Sequence, residues 1–420
     1  MGGNAFRTLL PDATFPRMPP ALYYALKSRL IPILQELYTY VAVSPECPGK
    51  ADYGDLDFVV SEPREGLSLD EVKDALRATC SIPMEGNRTS NYAIPATAFE
   101  EVACVCATTG GGDEASELTL GEGKVFFQVD VNVCEDRAQW ERTVFYSSYG
   151  DLGFFLGLLA QTAGLSFNIF GLKLAEPIET APPQTYYLST SMRDILAFFG
   201  LSMHRWEQGF ASQEDIFQWI ATSPFVLPIV ARYRSSAYQA PSKKRVDSRP
   251  MRIDFMRYLQ NPTFKPPVTE TSSVFGSSEN CEGKLDAALK FFGKDEEHAA
   301  LLYVGRAQRH AREILRGKTV QEWTGVEGMP VRIIMDEVKD RLSNSAPPSC
   351  EAAVNHIKSE VPVWQRALLR MSAEEVRVLV VEVKEELEKD GRLSFDWRAA
   401  KAAKEEKKRE KEFAEVVPAE

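Results

Sequence analysis

Several things are scarce in this chain, and each scarcity removes a class of function. Its 420 residues include only 4 histidines. His204, His298, His310 and His356 show none of the short ligand spacings used by zinc or iron sites. Seven cysteines, an odd number thinly spread, suit reduced thiols rather than a disulfide framework. Cys104-Val105-Cys106 is too tight for a zinc pair and has no matching second pair. No stretch reaches the roughly 18 uninterrupted apolar residues of a membrane span. The opening residues lack a basic region, apolar stretch and cleavage site, so the expected location is cytoplasmic or nuclear with no membrane partner. Basic residues are outnumbered, 49 against 60 acids for a net charge of −11. That balance argues against a protein that coats nucleic acid, although it hides local contrasts.

What is present centres on Asp52-Tyr53-Gly54-Asp55-Leu56-Asp57-Phe58-Val59-Val60. In a strand, residues i and i+2 point to the same face. Asp55 and Asp57 therefore project together while Leu56 and Phe58 pack behind them. Two like charges this close are costly unless something positive lies between them, and a hard divalent cation with oxygen ligands answers that need. A second run, Phe126-Phe127-Gln128-Val129-Asp130-Val131-Asn132-Val133, carries one acid in an apolar strand pattern. Laid beside the first, it would bring Asp130 into a three-carboxylate cluster.

The paired acids and the third acid resemble the polymerase-β-type nucleotidyltransferase superfamily, whose signature is a Gly-Ser turn, then Asp-x-Asp on a strand, then an acid on a neighbouring strand. Ser44 lies 11 residues before Asp55, with Val43 where the family has Gly, and Lys50 falls where many members carry a basic residue. The run Tyr146-Ser147-Ser148-Tyr149-Gly150-Asp151-Leu152-Gly153, the pair Gly164-Leu165 and the opening Gly2-Gly3-Asn4-Ala5-Phe6 also resemble uncharacterised nucleotidyltransferases of phages, large viruses and fungi. The resemblance spans roughly residues 1–345. It implies an α+β fold, a small mixed sheet with flanking helices followed by a mostly helical region. It also implies two Mg²⁺ or Mn²⁺ ions held by Asp55, Asp57 and Asp130, with an NTP as co-substrate. Ser44, Lys50, Gly54 and Lys173 are the nucleotide-binding candidates it suggests.

Taken in order, the chain predicts a helix from about Ala21 to Tyr40, where Leu22, Leu26, Leu30, Ile33 and Leu34 recur at helical spacing. A strand with Val41 to Val43 and a turn, Pro45 to Lys50, follow. Ser68 and Glu71 form a capping box for a helix to about Cys80. Residues 86–94 and Glu100 to Ala107 read as strands, and Thr109 to Gly123 as a Gly- and Glu-rich connector. Residues 137–220 read as mostly helical, with an apolar buried helix at 151–159, Asn168 to Leu174 as a strand or turn presenting Lys173, and a helix start at Ser212. Leu285 to Leu315 and Val331 to Leu342 read as helices, and Ser345 to Ser349 as a hinge. Glu374 to Lys389 reads as an amphipathic helix and Arg398 to Glu412 as a lysine–glutamate helix.

One segment departs from the acidic background. Nine basic residues (Arg232, Arg234, Lys243, Lys244, Arg245, Arg249, Arg252, Arg257 and Lys265) are interleaved with five aromatics between 232 and 265. Charges for phosphate and faces for unpaired bases suit single-stranded RNA. Lys243, Lys244 and Arg245, with Arg309, Arg312 and Arg316 sharing a helix face, are the nucleic-acid-binding candidates. The alternative for this stretch is a loop paired with the protein's own acids.

The expected organisation is a catalytic domain over 1–180, a helical domain over 181–345 and a helical extension over 346–420 able to meet a protein partner. The expected function is metal-dependent transfer of a nucleoside monophosphate from an NTP to an acceptor hydroxyl, with an RNA 3′ end as the candidate acceptor. Two alternatives stand beside it. One is a non-catalytic nucleotide- or RNA-binding module of the same fold, and the other a protein-modifying nucleotidyltransferase of toxin–antitoxin type.

Overall fold

The structure is a computed structural model that describes residues 4–83, 89–109, 125–235, 249–265, 281–345 and 361–393. The chain divides into two compact units, one of Met1–Glu176 with Tyr186–Gly293 and one of Pro177–Thr185 with Lys294–Glu420. Lys243, Lys244, Arg245, most of the Gly-rich connector, the linker after Lys265 and the lysine–glutamate run lie outside the described residues.

The first unit is built on a five-stranded mixed sheet. Its strands are β1 (Tyr38–Ala42), β2 (Leu56–Pro63), β3 (Cys80–Pro83), β4 (Thr89–Pro95) and β5 (Phe126–Cys134), in the order β1-β2-β5-β4-β3. The central pair, β2 and β5, is parallel, and the other neighbours are antiparallel. Alternation divides the side chains cleanly. Leu56, Phe58 and Val60 of β2 and Val129 and Val131 of β5 enter one core with α1 (Pro20–Gln35), α2 (Leu69–Ala75) and α3 (Glu100–Thr109). Helix α1 contributes Leu22, Leu26, Leu30 and Leu34, a spacing of four that keeps one stripe on the sheet. Each is fully buried and so contributes about 1.5–3 kcal/mol. The opposite parity, Asp57 and Val59 on β2 and Gln128, Asp130 and Asn132 on β5, faces the other way.

That second face is partly covered by α4 (Arg137–Tyr146), capped by Asp136, whose side chain accepts from Gln139 N. Trp140 Nε1 donates to the Val59 carbonyl at 2.9 Å and pins the helix to β2. Helix α5 (Leu152–Gln161) is apolar on nearly every side and buried accordingly. A small antiparallel sheet of β6 (Leu165–Asn168), β7 (Gly171–Leu174) and β8 (Tyr187–Ser189) follows. Then come α6 (Met192–Phe198), α7 (Met203–Gln208), α8 (Gln213–Ala221), α9 (Val226–Arg234), α10 (Pro250–Gln260) and α11 (Cys281–Phe291).

Apart from the non-helical segment Pro177–Thr185, the described residues of the second unit are mostly helical, with α12 (Asp295–Ile314), α13 (Gly317–Thr324), α14 (Met329–Ser345), α15 (Val363–Leu368) and α16 (Ala373–Lys389). Val376, Val380, Val383 and Leu387 of α16 form its buried stripe against Ile334 and Val338 of α14. The architecture is thus α+β, a mixed sheet with helices and then a mostly helical region.

Four local expectations are corrected. Helix α1 ends at Gln35, and Tyr38–Ala42 is already strand β1, because its tyrosines and Val41 favour a pleated edge. Glu100 to Ala107 is helix rather than strand: Phe99, Val102 and Val105 reach the core at a spacing of three. The capping box at Ser68 forms, with Glu71 N donating to Ser68 Oγ at 3.2 Å, but α2 stops at Ala75 and Cys80 opens β3. The predicted helix over 285–315 is broken at Gly293, whose φ of +62° is left-handed, giving α11 and α12.

Candidate active site

The parallel register of β2 and β5 sets Asp57 directly opposite Asp130. Both side chains leave the sheet on the face away from α1, and Asp55, two residues before Asp57, shares that parity. All three line one cleft of ≈ 410 Å³ in the first unit, together with Ser44, Glu46, Lys50, Thr89, Asn132, Ser147 and Arg249. A one-residue slip between the two strands would turn Asp130 into the core, so the apolar residues on either side of each acid fix the pairing.

Asp130 is held firmly. Asn91 Nδ2, its partner across the β4–β5 ladder, donates to Oδ1 at 2.6 Å, and Gln128 Nε2 donates to Oδ1 at 2.9 Å and to Oδ2 at 3.1 Å. Burial nonetheless pushes the Asp130 carboxyl above the usual range, partly offset by those two amides, with Asp55 adding to the push. Asp57 is raised to about 7 by desolvation first, then by the charges of Asp55, Asp130 and Glu46, while Lys50 opposes the shift. Its side chain still meets water along the open cleft, so the acid crowding matters more here than desolvation would in a closed core. Among the described residues no group of three acid, histidine or cysteine side chains is set to hold a metal ion as it stands. The donor set still fits a hard divalent cation. It is all oxygen, and the mutual repulsion it carries is what such an ion would relieve.

The wall opposite the strands is the turn after β1. Val43 is packed against the sheet's core, and Ser44 Oγ is buried without a hydrogen-bond partner. Glu46 accepts from Tyr23 OH at 2.6 Å and pairs with Lys50 at 3.1 Å. Lys50 also lies 4.5 Å over the ring of Tyr53, which stacks on Tyr23 with centroids 3.8 Å apart. Lys50 is therefore a cleft cation held by Glu46. Gly54 makes the bend into β2 and does not line the cleft. Lys173 lies on β7 of the small sheet and is not among the cleft's lining residues.

The rim comes from a third direction. Tyr149 and Gly150 have φ of +51° and +77°, and Tyr149 N donates to the Pro45 carbonyl at 2.6 Å. A Cβ on Gly150 would lie 2.9 Å from Met251 Sδ, the movable end of a flexible side chain, so it is the left-handed backbone that favours glycine here. The neighbouring Asp151 is buried and accepts from Arg252 Nε at 2.8 Å, with Arg249 Nη1 at 3.8 Å. The basic segment is thus partly consumed internally. Arg234 donates to the carbonyls of Leu259, Asn261 and Phe264, and Arg257 pairs with Asp254. Among the described residues of that segment, Arg249 alone reaches the cleft lining. Arg309, paired with Glu179, and Arg312, donating to the Gln308 carbonyl at 3.2 Å, lie on α12, and Arg316 precedes α13, all in the second unit.

Glu46, Asn91, Gln128 and Arg249 are site residues that sequence reasoning did not single out. Asn91 and Gln128 did carry a signal, as amides of the same strand parity as the acids. Glu46 carried none, because its role depends on how the turn folds against Tyr23.

No family model matches the chain, and no curated protein matches it in sequence. Among solved structures it is similar to Leishmania infantum polymerase beta in a ternary gap complex. The identity is 12%, the match covers 62% of this chain and 78% of that one, and the TM-score is 0.23. The reading of the cleft therefore rests on its own residues.

No helix among the described residues is long and apolar enough to cross a membrane.

Proposed function

We propose that the cleft is the active site of a metal-dependent nucleotidyltransferase, which moves a nucleoside monophosphate from an NTP to an acceptor hydroxyl. The observation that carries this reading is Asp57 set opposite Asp130 in parallel register, with Asp55 beside them in one cleft. Asp55 and Asp57 supply oxygen ligands for Mg²⁺ or Mn²⁺, and Asp130 adds a third. When bound, such ions offset the triphosphate charge and acidify the acceptor hydroxyl. The acceptor oxygen forms its bond to the α-phosphorus as the α–β anhydride bond breaks and pyrophosphate leaves. Asp130 is placed to take the hydroxyl proton on Oδ2, the oxygen less engaged by the neighbouring amides. Asn91 and Gln128 keep that carboxylate aimed. Ser44 lines the cleft and would donate to a phosphate oxygen once its now buried Oγ rotates outward, and Lys50 and Arg249 place counter-charge along the walls.

The acceptor favoured is an RNA 3′ end, on the strength of the basic and aromatic stretch between 232 and 265. The test is incubation of the full chain with labelled NTPs, Mg²⁺ or Mn²⁺, and total RNA or total protein. Label should move to RNA, and Asp57→Ala should abolish transfer with thermal stability equal or higher. Label on protein instead would point to the toxin–antitoxin type of chemistry. Transfer that survives Asp57→Ala would falsify the assignment of catalysis to this cleft.

A second reading has one observation of its own. Val43 fills core space where a glycine would leave the turn's backbone free for a phosphate. A non-catalytic module that binds nucleotide or RNA is the outcome if NTP binds and nothing is transferred.

A further inference from the structure

The sheet contributes two successive ladder rows to the cleft. In the first, Asp57 of β2 faces Asp130 of β5, which faces Asn91 of β4. In the next, Val59 faces Asn132, which faces Thr89. All three residues of this second row line the cleft, and none of them is charged. Thr143 of α4 lines it too, but its hydroxyl is already spent on the Gln139 carbonyl at 2.8 Å.

Three amides share this face of β4 and β5, and two of them are engaged. Asn91 and Gln128 both donate to Asp130. Asn132 lies two residues from Asp130, as Gln128 does, but its side chain is one methylene shorter and makes no such bond. Asn132 and Thr89 are half-buried and open to the cleft, and neither side chain has a hydrogen-bond partner among the described residues. Side by side they offer an amide oxygen, an amide NH₂ and a hydroxyl, able to accept from and donate to neighbouring hydroxyls. With no charge, the row has little to attract a metal ion or a phosphate, and it suits a neutral sugar.

Position says which sugar. Two residues of strand carry the row about 6.8 Å beyond the acids, the scale that separates an α-phosphate from the far hydroxyls of its own ribose. Ser44 and Lys50, the groups suited to the triphosphate, come from the turn after β1, across β2 from β5. A nucleotide with its α-phosphate over Asp57 and Asp130 thus directs its phosphates toward β1 and its sugar toward β5 and β4.

We propose that Asn132, with Thr89, binds the vicinal ribose hydroxyls of the donor NTP, so that the cleft selects ribonucleotides. This rests on the nucleotidyltransferase reading of the cleft and adds its sugar specificity. The amide of Asn132 pairs with the hydroxyls, Thr89 Oγ1 serves one of them, and Val59 packs against the ring.

The test is equilibrium binding of ATP and 2′,3′-dideoxy-ATP to the full-length protein by calorimetry, with Mg²⁺ and no acceptor. Wild-type protein should bind ATP about tenfold more tightly. Asn132→Leu, similar in size, should weaken ATP about tenfold and leave the dideoxy nucleotide unchanged, a selective loss that a structural role would not give. Thr89→Val should give a smaller loss of the same kind, and it stands in if Asn132→Leu does not fold. Equal binding of the two nucleotides by wild-type protein overturns the proposal. So does discrimination that survives in folded Asn132→Leu, or a loss shared equally by both nucleotides. Asp57→Ala separates this from the wider reading, because it should remove the Mg²⁺ dependence of both nucleotides and keep the preference for ATP. If neither nucleotide binds wild-type protein, or Asp57→Ala leaves the Mg²⁺ dependence intact, the nucleotidyltransferase reading itself fails and the ribose contact with it.

Discussion

The two faces of the five-stranded sheet are made from the same strands and do opposite work. One face presents Leu56, Phe58, Val60, Val129 and Val131 to three helices and excludes water. The other presents Asp57, Gln128, Asp130 and Asn132, leaves a cleft, and raises the carboxyls within it. Stability is concentrated on the first, and repulsion is tolerated on the second. A strand can serve both because its period of two never mixes the sets. The acids can crowd because the burial behind them is large enough to hold their strands together.

If that division is right, substitutions on the two faces should differ in kind as well as in size. The largest effect belongs to the packed face. Phe58→Ala removes a fully buried ring and should cost about 3–5 kcal/mol in denaturant unfolding. A cost under about 1 kcal/mol would mean that the helix-covered face is not what holds the sheet.

Next comes the cleft face, where the sign should reverse. The Asp57 carboxyl titrates near 7 in the folded protein against 3.8 as a free group. The folded state thus holds the proton more tightly, and Asp57 contributes stability at low pH that is lost as pH rises from about 4 to about 7. In chelator-treated protein, Asp57→Asn should erase that part of the fall in Tm and leave the variant the more stable of the two above pH 7. Superimposable Tm–pH curves would mean that the acids do not crowd one another. Water in the cleft keeps this effect well below that of Phe58.

The smallest effect sharpens the comparison within one face. Asn91→Ala removes one of the two amides that lower the Asp130 carboxyl. The Asp130 pKa should therefore rise further, as followed by carboxyl-carbon NMR, with little change in unfolding free energy. A fall, or no movement, would show that Gln128 alone fixes this carboxylate.

How much of this was legible in the chain follows from the range of each interaction. Asp55, Asp57 and Asp130 could be read because strand parity is local and the flanking valines and phenylalanines reveal it. Helix α3 was misread because Val102, Cys104 and Cys106 mimic alternation. The spacing of Phe99, Val102 and Val105 that decides the matter spans only two turns. The role of Glu46 depends on Tyr23, and that of Asp151 on Arg252, 101 residues away. No window of sequence contains both partners. The basic stretch read as free charge for a nucleic acid also contains Arg234, Arg252 and Arg257, which the fold occupies with its own carbonyls and acids.

The hook at Tyr149 and Gly150 has a consequence for the order in which the protein assembles. It ties the turn after β1, the entry to α5 and the start of α10 into one rim, through the Pro45 carbonyl on one side and Met251 and Arg252 on the other. During synthesis the sheet and all of its acids emerge before Arg249 does. A nascent chain halted there owns the carboxylates but not the arginines that answer Asp151. On the ribosome, therefore, the strands are complete before the rim of the cleft can close.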